Sequence, residues 1–224
     1  MNLLKSYREN EIKWYILAYL LLSVSINTPE LVTSADIDLI TKVEKLFVSA
    51  LLSGVICSLA FVFDSLYSRN IKDVLLYLGF TKAPGSTVFT RIQNKKLKDT
   101  HFEISTGVTY YNRIISSLPA QKKQRRQFEN AKWYEIYSRH KKDDSINSVH
   151  RDFLLCRDLY IATISMTILT SIAMVTKLII FNWIQIGYLL ILLLITNIAA
   201  HNKAHRYVNT VIAVDIALKD SWYS

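Results

Sequence analysis

Leu159–Thr176, LYIATISMTILTSIAMVT, and Leu178–Ala200, LIIFNWIQIGYLLILLLITNIAA, decide how this chain is read. The first run holds 18 residues without a charge and the second 23. A helix crosses the hydrocarbon core of a bilayer in about 20 residues. Lys177 alone separates the runs, with Asn182 and Trp183 just beyond it. The pattern predicts two membrane helices joined by a tight turn near one surface. Trp183 suits the interface there, because its ring is apolar and its N–H seeks a partner.

Two weaker apolar stretches lie upstream. Trp14–Thr28 has 15 uncharged residues before Pro29. A signal peptide is the competing reading of this stretch, since Lys5, Arg8 and Lys13 precede it and Ser23 and Ser25 close it. Glu9 and Glu11 interrupt the basic leader, which favours a retained span. Leu46–Phe63 has 18 uncharged residues and many small ones. Small side chains let membrane helices approach closely, so Ser49, Ser53, Gly54 and Ala60 are expected to pack against a neighbouring helix, in the bundle or in a homo-oligomer.

Charge sets the threading. The 224 residues are 51% hydrophobic, with mean hydropathy +0.19 and a formal net charge of +9. Asp64–Asp158 carries 18 Lys and Arg against 10 Asp and Glu, whereas the loop Pro29–Lys45 holds only Lys42 and Lys45. Basic residues stay on the cytoplasmic side, a rule that weakens for long loops but is strengthened at the flanks. Arg69 and Lys72 follow the second span, Arg151 and Arg157 precede the third, and His201, Lys203, His205 and Arg206 follow the fourth. The expected fold is therefore mainly α: a four-helix integral membrane protein with a basic, mostly helical cytosolic domain between its second and third spans. Residues 1–63 form the N-terminal segment and first two spans, 64–158 the basic domain, 159–200 the membrane hairpin and 201–224 a cytosolic C-terminal helix. Both termini are expected in the cytoplasm, with the spans in the plasma (bacterial inner) membrane and in contact with its lipids.

Helical periodicity runs past the spans. Ile71, Val74, Leu75 and Leu78 form one stripe ending at Gly79. Ile146, Val149, Phe153, Cys156 and Tyr160 repeat at intervals of three and four, as do Tyr207, Val211, Val214 and Leu218. These intervals make a coiled-coil-like seam, so Ile146, Val149, Phe153, Tyr207, Val211 and Val214 are expected to pack as a cytosolic stalk. Between Phe80 and Pro119, Val88–Ile92 and Phe102–Thr109 are β-capable and predict a small hairpin, and Pro119 opens a helix to about Lys142.

That last helix concentrates cations and aromatic rings. Lys122, Lys123, Arg125, Arg126, Lys132 and Arg139 accompany Trp133 and Tyr137. The plain reading is a solvated face with the rings in the domain core. The functional reading is a docking surface for an acidic protein or anionic lipid, with Trp133 and Tyr137 as apolar anchors. Nucleic acid is a less favoured partner.

Other chemistry is thin. Cys57 and Cys156 make no disulfide framework or zinc knuckle. His201 and His205 have a metal-compatible spacing, but the Glu of a zincin motif is missing. Asp99, His101 and Glu103 would share one face of a strand. There is no Gly-rich phosphate loop or nucleophile elbow, so the reading carries no catalytic site, metal or cofactor and the chain is not expected to be an enzyme.

The layout of four spans with a basic cytosolic domain between the second and third resembles the small membrane subunits of bacterial anti-phage systems such as Kiwa. The resemblance covers layout alone and carries over no site. It implies the membrane arm of a defence or stress system. The expected function is an oligomeric anchor or scaffold presenting a cytosolic platform to a soluble protein. The alternative is a channel or membrane-disrupting effector gated by a cytosolic signal.

Overall fold

The computed structural model describes residues 2–27, 39–77, 83–97 and 102–220. The described residues are mainly helical and include no strand. The helices are α1 (Asn2–Asn27), α2 (Leu39–Leu66), α3 (Arg69–Tyr77), α4 (Val88–Gln93), α5 (Ile104–Tyr110), α6 (Asn112–Ser116), α7 (Lys122–His140), α8 (Asp144–Val175) and α9 (Trp183–Asp220), with a 3-10 turn at Pro84–Thr87. Two of them, α8 and α9, are long and apolar enough to cross a membrane.

The chain divides into two units. The first, the apolar unit, comprises Met1–Leu76 and Leu155–Ala200; the second, the basic unit, comprises Tyr77–Leu154 and His201–Ser224. Most of α3 and the pair Arg157–Asp158 therefore group with the apolar runs, not with the polar segment to which their charge assigns them in sequence.

The apolar unit packs Tyr19 of α1, Cys57 and Ala60 of α2, Met166 of α8 and Leu189 of α9 into one core. Polar side chains share this interior. The Tyr15 hydroxyl lies 2.6 Å from Thr163 Oγ1, Tyr19 lies 2.9 Å from Thr170, and Gln185 donates to Ser23 at 2.8 Å. Thr163 and Ser165 also donate to the carbonyls of Leu159 and Ile161 one turn back, so their hydroxyls need no water. Asn182 closes the α8–α9 turn: its Oδ1 accepts from the Ile184 N–H and its Nδ2 donates to Ile26 O. Lys177 takes the left-handed conformation, φ 59°, where α8 ends.

The basic unit has a larger apolar core. Val88, Phe89 and Ile92 of α4 meet Tyr111, Ile115, Trp133, Ile136, Ile146, Tyr207, Val208, Val211 and Ile212. This overturns the expected hairpin, since both β-capable segments are helical over α4 and α5. The reason is the spacing of the buried residues. Val88, Phe89 and Ile92 fall at i, i+1 and i+4, one face of a helix, and tertiary burial outweighs the strand preference of β-branched residues.

The stripe along α3 is also displaced. Ile71 and Val74 are exposed, while Lys72 and Leu76 are buried. Leu78 and Gly79 lie outside the described residues, as do Pro29–Asp38, Asp99 and His101. Glu103 precedes the helix α5, and the alignment expected of Asp99, His101 and Glu103 falls mostly outside the described residues.

Candidate partner-facing surface and its supporting core

The geometry of α7 determines which of its residues reach a partner. Its inward side carries Glu129, Trp133 and Ile136. Trp133 lies over Gly85 so closely that a Cβ there would stand 3.2 Å from the indole, a contact that would press the ring outward by a few tenths of an ångström. The ring stacks on Tyr137 at 5.7 Å, meets Tyr207 edge-on at 5.4 Å, and donates its N–H to Val208 O. Tyr207 in turn stacks on Phe153 and His150. Trp133 is 5% exposed, so it is a core residue and not an apolar surface anchor. Tyr137 packs against the same cluster, partly buried. Tyr134 is the aromatic ring of α7 with the larger exposure, 39%. Burying a large aromatic against other rings yields more than leaving it on a charged surface, which explains the inward turn.

The acid on the first half of α7 is withdrawn as well. Glu129 is buried and accepts from both the N–H and the hydroxyl of Thr90. The cations then separate by role. Arg125 turns back on the helix entry and donates to Pro119 O at 2.8 Å and Ala120 O at 3.3 Å. Lys132 pairs with Glu135 at 2.8 Å, and its hydrogen bond and charge hold that carboxyl below its usual range. Arg139 approaches Asp215 at 3.7 Å. Lys122 and Lys123 are exposed and Arg126 is half-buried, with no acidic partner among the described residues. The basic unit holds 18 Lys and Arg against nine Asp and Glu, while the apolar unit holds nine of each. The whole formal charge of the chain therefore resides in the basic unit.

Asp215 on α9 anchors a polar cluster that sequence reasoning missed. It is 4% exposed and accepts from Tyr111 Oη at 2.7 Å, with His140 Nε2 also at 2.7 Å. Burial, and then the Asp215 charge, push the Tyr111 phenol well above its usual range. The signal available in sequence was an acid inside the apolar seam Val211–Val214–Ile216. The cluster ties α9 to α7 and to the residue between α5 and α6.

His201 and His205 do not form an open metal pair. His205 Nδ1 lies 2.9 Å from Arg91 Nη1, which also holds Pro84 O through Nη2. Desolvation, then the Arg91 charge and His201, hold the His205 ring down at about 4. His201 meets Tyr77 edge-on. Among the described residues no group of three or more His, Cys, Asp or Glu is placed to bind a metal ion.

The structure brings Ile146, Val149, Phe153, Tyr207, Val211 and Val214 into the core of the basic unit. The small residues of α2 separate instead. Gly54 has open space where a Cβ would stand, whereas Ala60 is fully buried in the core of its own unit. Six residues turn a helix through about 600°, so Gly54 and Ala60 cannot share a face. The side chains of Ser49 and Ser53 lie outside the described residues. No family model, no curated protein and no solved structure matches this chain.

Proposed function

We propose that this chain is a four-span integral membrane protein that anchors a basic helical unit at the cytosolic surface as a platform for a soluble, acidic protein partner. One observation carries the reading. Among the described residues, apart from Tyr134 and Leu218, every exposed large hydrophobic side chain belongs to the apolar unit, while its interior holds Thr163, Ser165, Thr170 and Gln185. A water-soluble unit would expose the polar set and bury the apolar one, and contiguous apolar patches beyond a few hundred Å² rarely face water. Lipid reverses that preference.

The 18 uncharged residues Leu46–Phe63 within α2, and Trp14–Thr28, nearly all within α1, supply the two spans beyond α8 and α9. The layout suits the membrane arm of a bacterial defence or stress system. Cysteine probes test the threading: Asp36→Cys should be labelled from outside, and Lys96→Cys and Ser224→Cys only after permeabilisation. External labelling at position 96 would overturn it. The platform is tested by recovering a soluble protein on the full chain but not on a variant lacking the surface cations.

The polar interior of the apolar unit favours a second reading, a channel whose spans part on a signal. Ion flux through liposomes carrying the purified protein separates it from the anchor.

A further inference from the structure

We propose that α3 is an in-plane interfacial helix whose outward face, Ile71 and Val74 together with Leu66 at the end of α2, rests among the acyl chains just below the lipid headgroups. The inference depends on the membrane reading above and goes beyond it, since α3 crosses nothing. Its sequence is amphipathic, but it is mounted the opposite way from a surface helix of a soluble protein. Its cation Lys72 points inward. Lys72 Nζ lies 3.4 Å from Asp158 Oδ1, Arg157 Nη2 3.2 Å from the same oxygen, and Arg157 Nη1 3.4 Å from Asp73. Lys72, Arg157 and Asp158 are nearly removed from solvent. Lys72 and Arg157 share the buried Asp158, and Arg157 also reaches the part-exposed Asp73, so neither buried cation lacks a counter-charge, which is what permits their burial.

Ile71 and Val74 point outward, while Leu76 is buried on the side of Lys72. Val74 is 68% exposed, Leu66 69% and Ile71 46%. Ser68 sets this orientation by ending one helix and starting the next. Its carbonyl accepts from Lys72 N, and its hydroxyl accepts from Ile71 N. The exposed face is continuous in the chain with Val62, Phe63 and Leu66, the exposed end of the α2 apolar surface. A helix of nine residues is too short to cross a bilayer and suits the interface plane, where its apolar face enters lipid. The partner is therefore the bilayer itself, and the ion cluster is the latch that holds α3 in place against α8.

Spin labels on the full chain in phosphatidylcholine–phosphatidylglycerol nanodiscs test the proposal. In a Cys57→Ser, Cys156→Ser background, a nitroxide is placed at Val74→Cys or Ile71→Cys, with Leu51→Cys as a span control and Ser138→Cys as a control in the basic unit. The labels at 71 and 74 should collide with oxygen several-fold more than with a water-soluble nickel chelate, as at 51 and opposite to 138. If position 51 behaves so and positions 71 and 74 are as open to nickel as 138, the α3 proposal fails and the membrane reading stands. Labels at 71 and 74 shielded from both reagents would also overturn it, because the face would then be covered by protein. Nickel access at position 51 would overturn the membrane reading and α3 with it.

Discussion

The hydroxyls of Tyr19 and Thr170 meet at 2.9 Å in the interior of the apolar unit, across 151 residues of sequence. They form the middle of three rungs. Tyr15, Tyr19 and Ser23 follow one another at four-residue intervals along α1 and reach Thr163, Thr170 and Gln185. Thr163 gives its own hydrogen to Leu159 O, so Tyr15 is the donor in the first rung. Tyr188 stacks beside Tyr19 at 6.3 Å. The ladder sets the register of α1 against α8 and α9 in a way that interchangeable aliphatic contacts would not.

Removing a rung should therefore loosen α1. Tyr19→Phe keeps the ring and deletes the hydroxyl, and a hydrogen bond between membrane helices is worth about 0.6–1.7 kcal/mol. Thermal unfolding of the purified protein in detergent should show that loss, and Tyr19→Phe with Gln185→Leu should lose more. Unchanged melting in both would mean that apolar packing alone holds α1. Retention of α1 is read directly from the mass of the membrane-extracted protein, which should include residues 1–27.

The seam between the lower parts of α8 and α9 makes a stronger demand. Val211 is fully buried and Tyr207 nearly so, with Ile146 opposite in the same core. Val211→Asp places a charge there without a partner and should cost about 3 kcal/mol or more. Limited proteolysis should then cut within Tyr77–Leu154 while the apolar unit survives. Phe153→Asp, at a partly buried position, should do the same to a smaller extent.

His205 predicts an acid-sensitive contact. In the folded chain its ring is held at about 4, below the ordinary 6.5, chiefly by desolvation and then by Arg91. Protonation is thus opposed in the folded state and free in the unfolded one. The stabilisation is complete above pH 6.5 and is lost as pH falls through the interval toward 4. A shift of that size would be worth about 3 kcal/mol in a fully buried ring, and the partial exposure of His205 reduces it to roughly 1 kcal/mol. Melting curves from pH 7.5 to 4.5 should fall less steeply for His205→Gln than for the natural chain. Parallel curves would dissociate His205 from the acid response.

The cations of α7 separate by experiment as they do in space. Lys122→Gln, Lys123→Gln and Arg126→Gln together should leave melting nearly unchanged, weaken capture of an acidic partner and flatten its salt dependence. Were the partner a nucleic acid, the slope of log affinity against log salt should fall by about 0.7–0.9 per lost phosphate contact. Arg125→Gln should behave differently and lower the melting temperature, because the Pro119 and Ala120 carbonyls lose their donor. If the triple variant binds as before, the exposed cations form a solvated surface and no docking site.

The sequence by itself determined what repeats locally. Uncharged runs of 18 and 23 residues mark α8 and α9, the spacing of Val211 and Val214 marks a helical seam, and the charge of Asp64–Asp158 marks a polar segment. Such signals are carried by neighbours in the chain and need no knowledge of the fold. Tertiary structure decided everything that depends on a distant partner. Trp133 sits in a basic helix, yet Gly85, Tyr207 and Val208 provide a cavity that draws it inward. Val88–Ile92 has strand-forming residues, yet a core that accepts one helical face makes it a helix. Lys72 and Asp158 stand far apart in sequence, and only the fold brings them together with Arg157 as a buried ion cluster. Periodicity states that a segment has two sides, but only the surfaces arriving from elsewhere in the chain determine which side is buried.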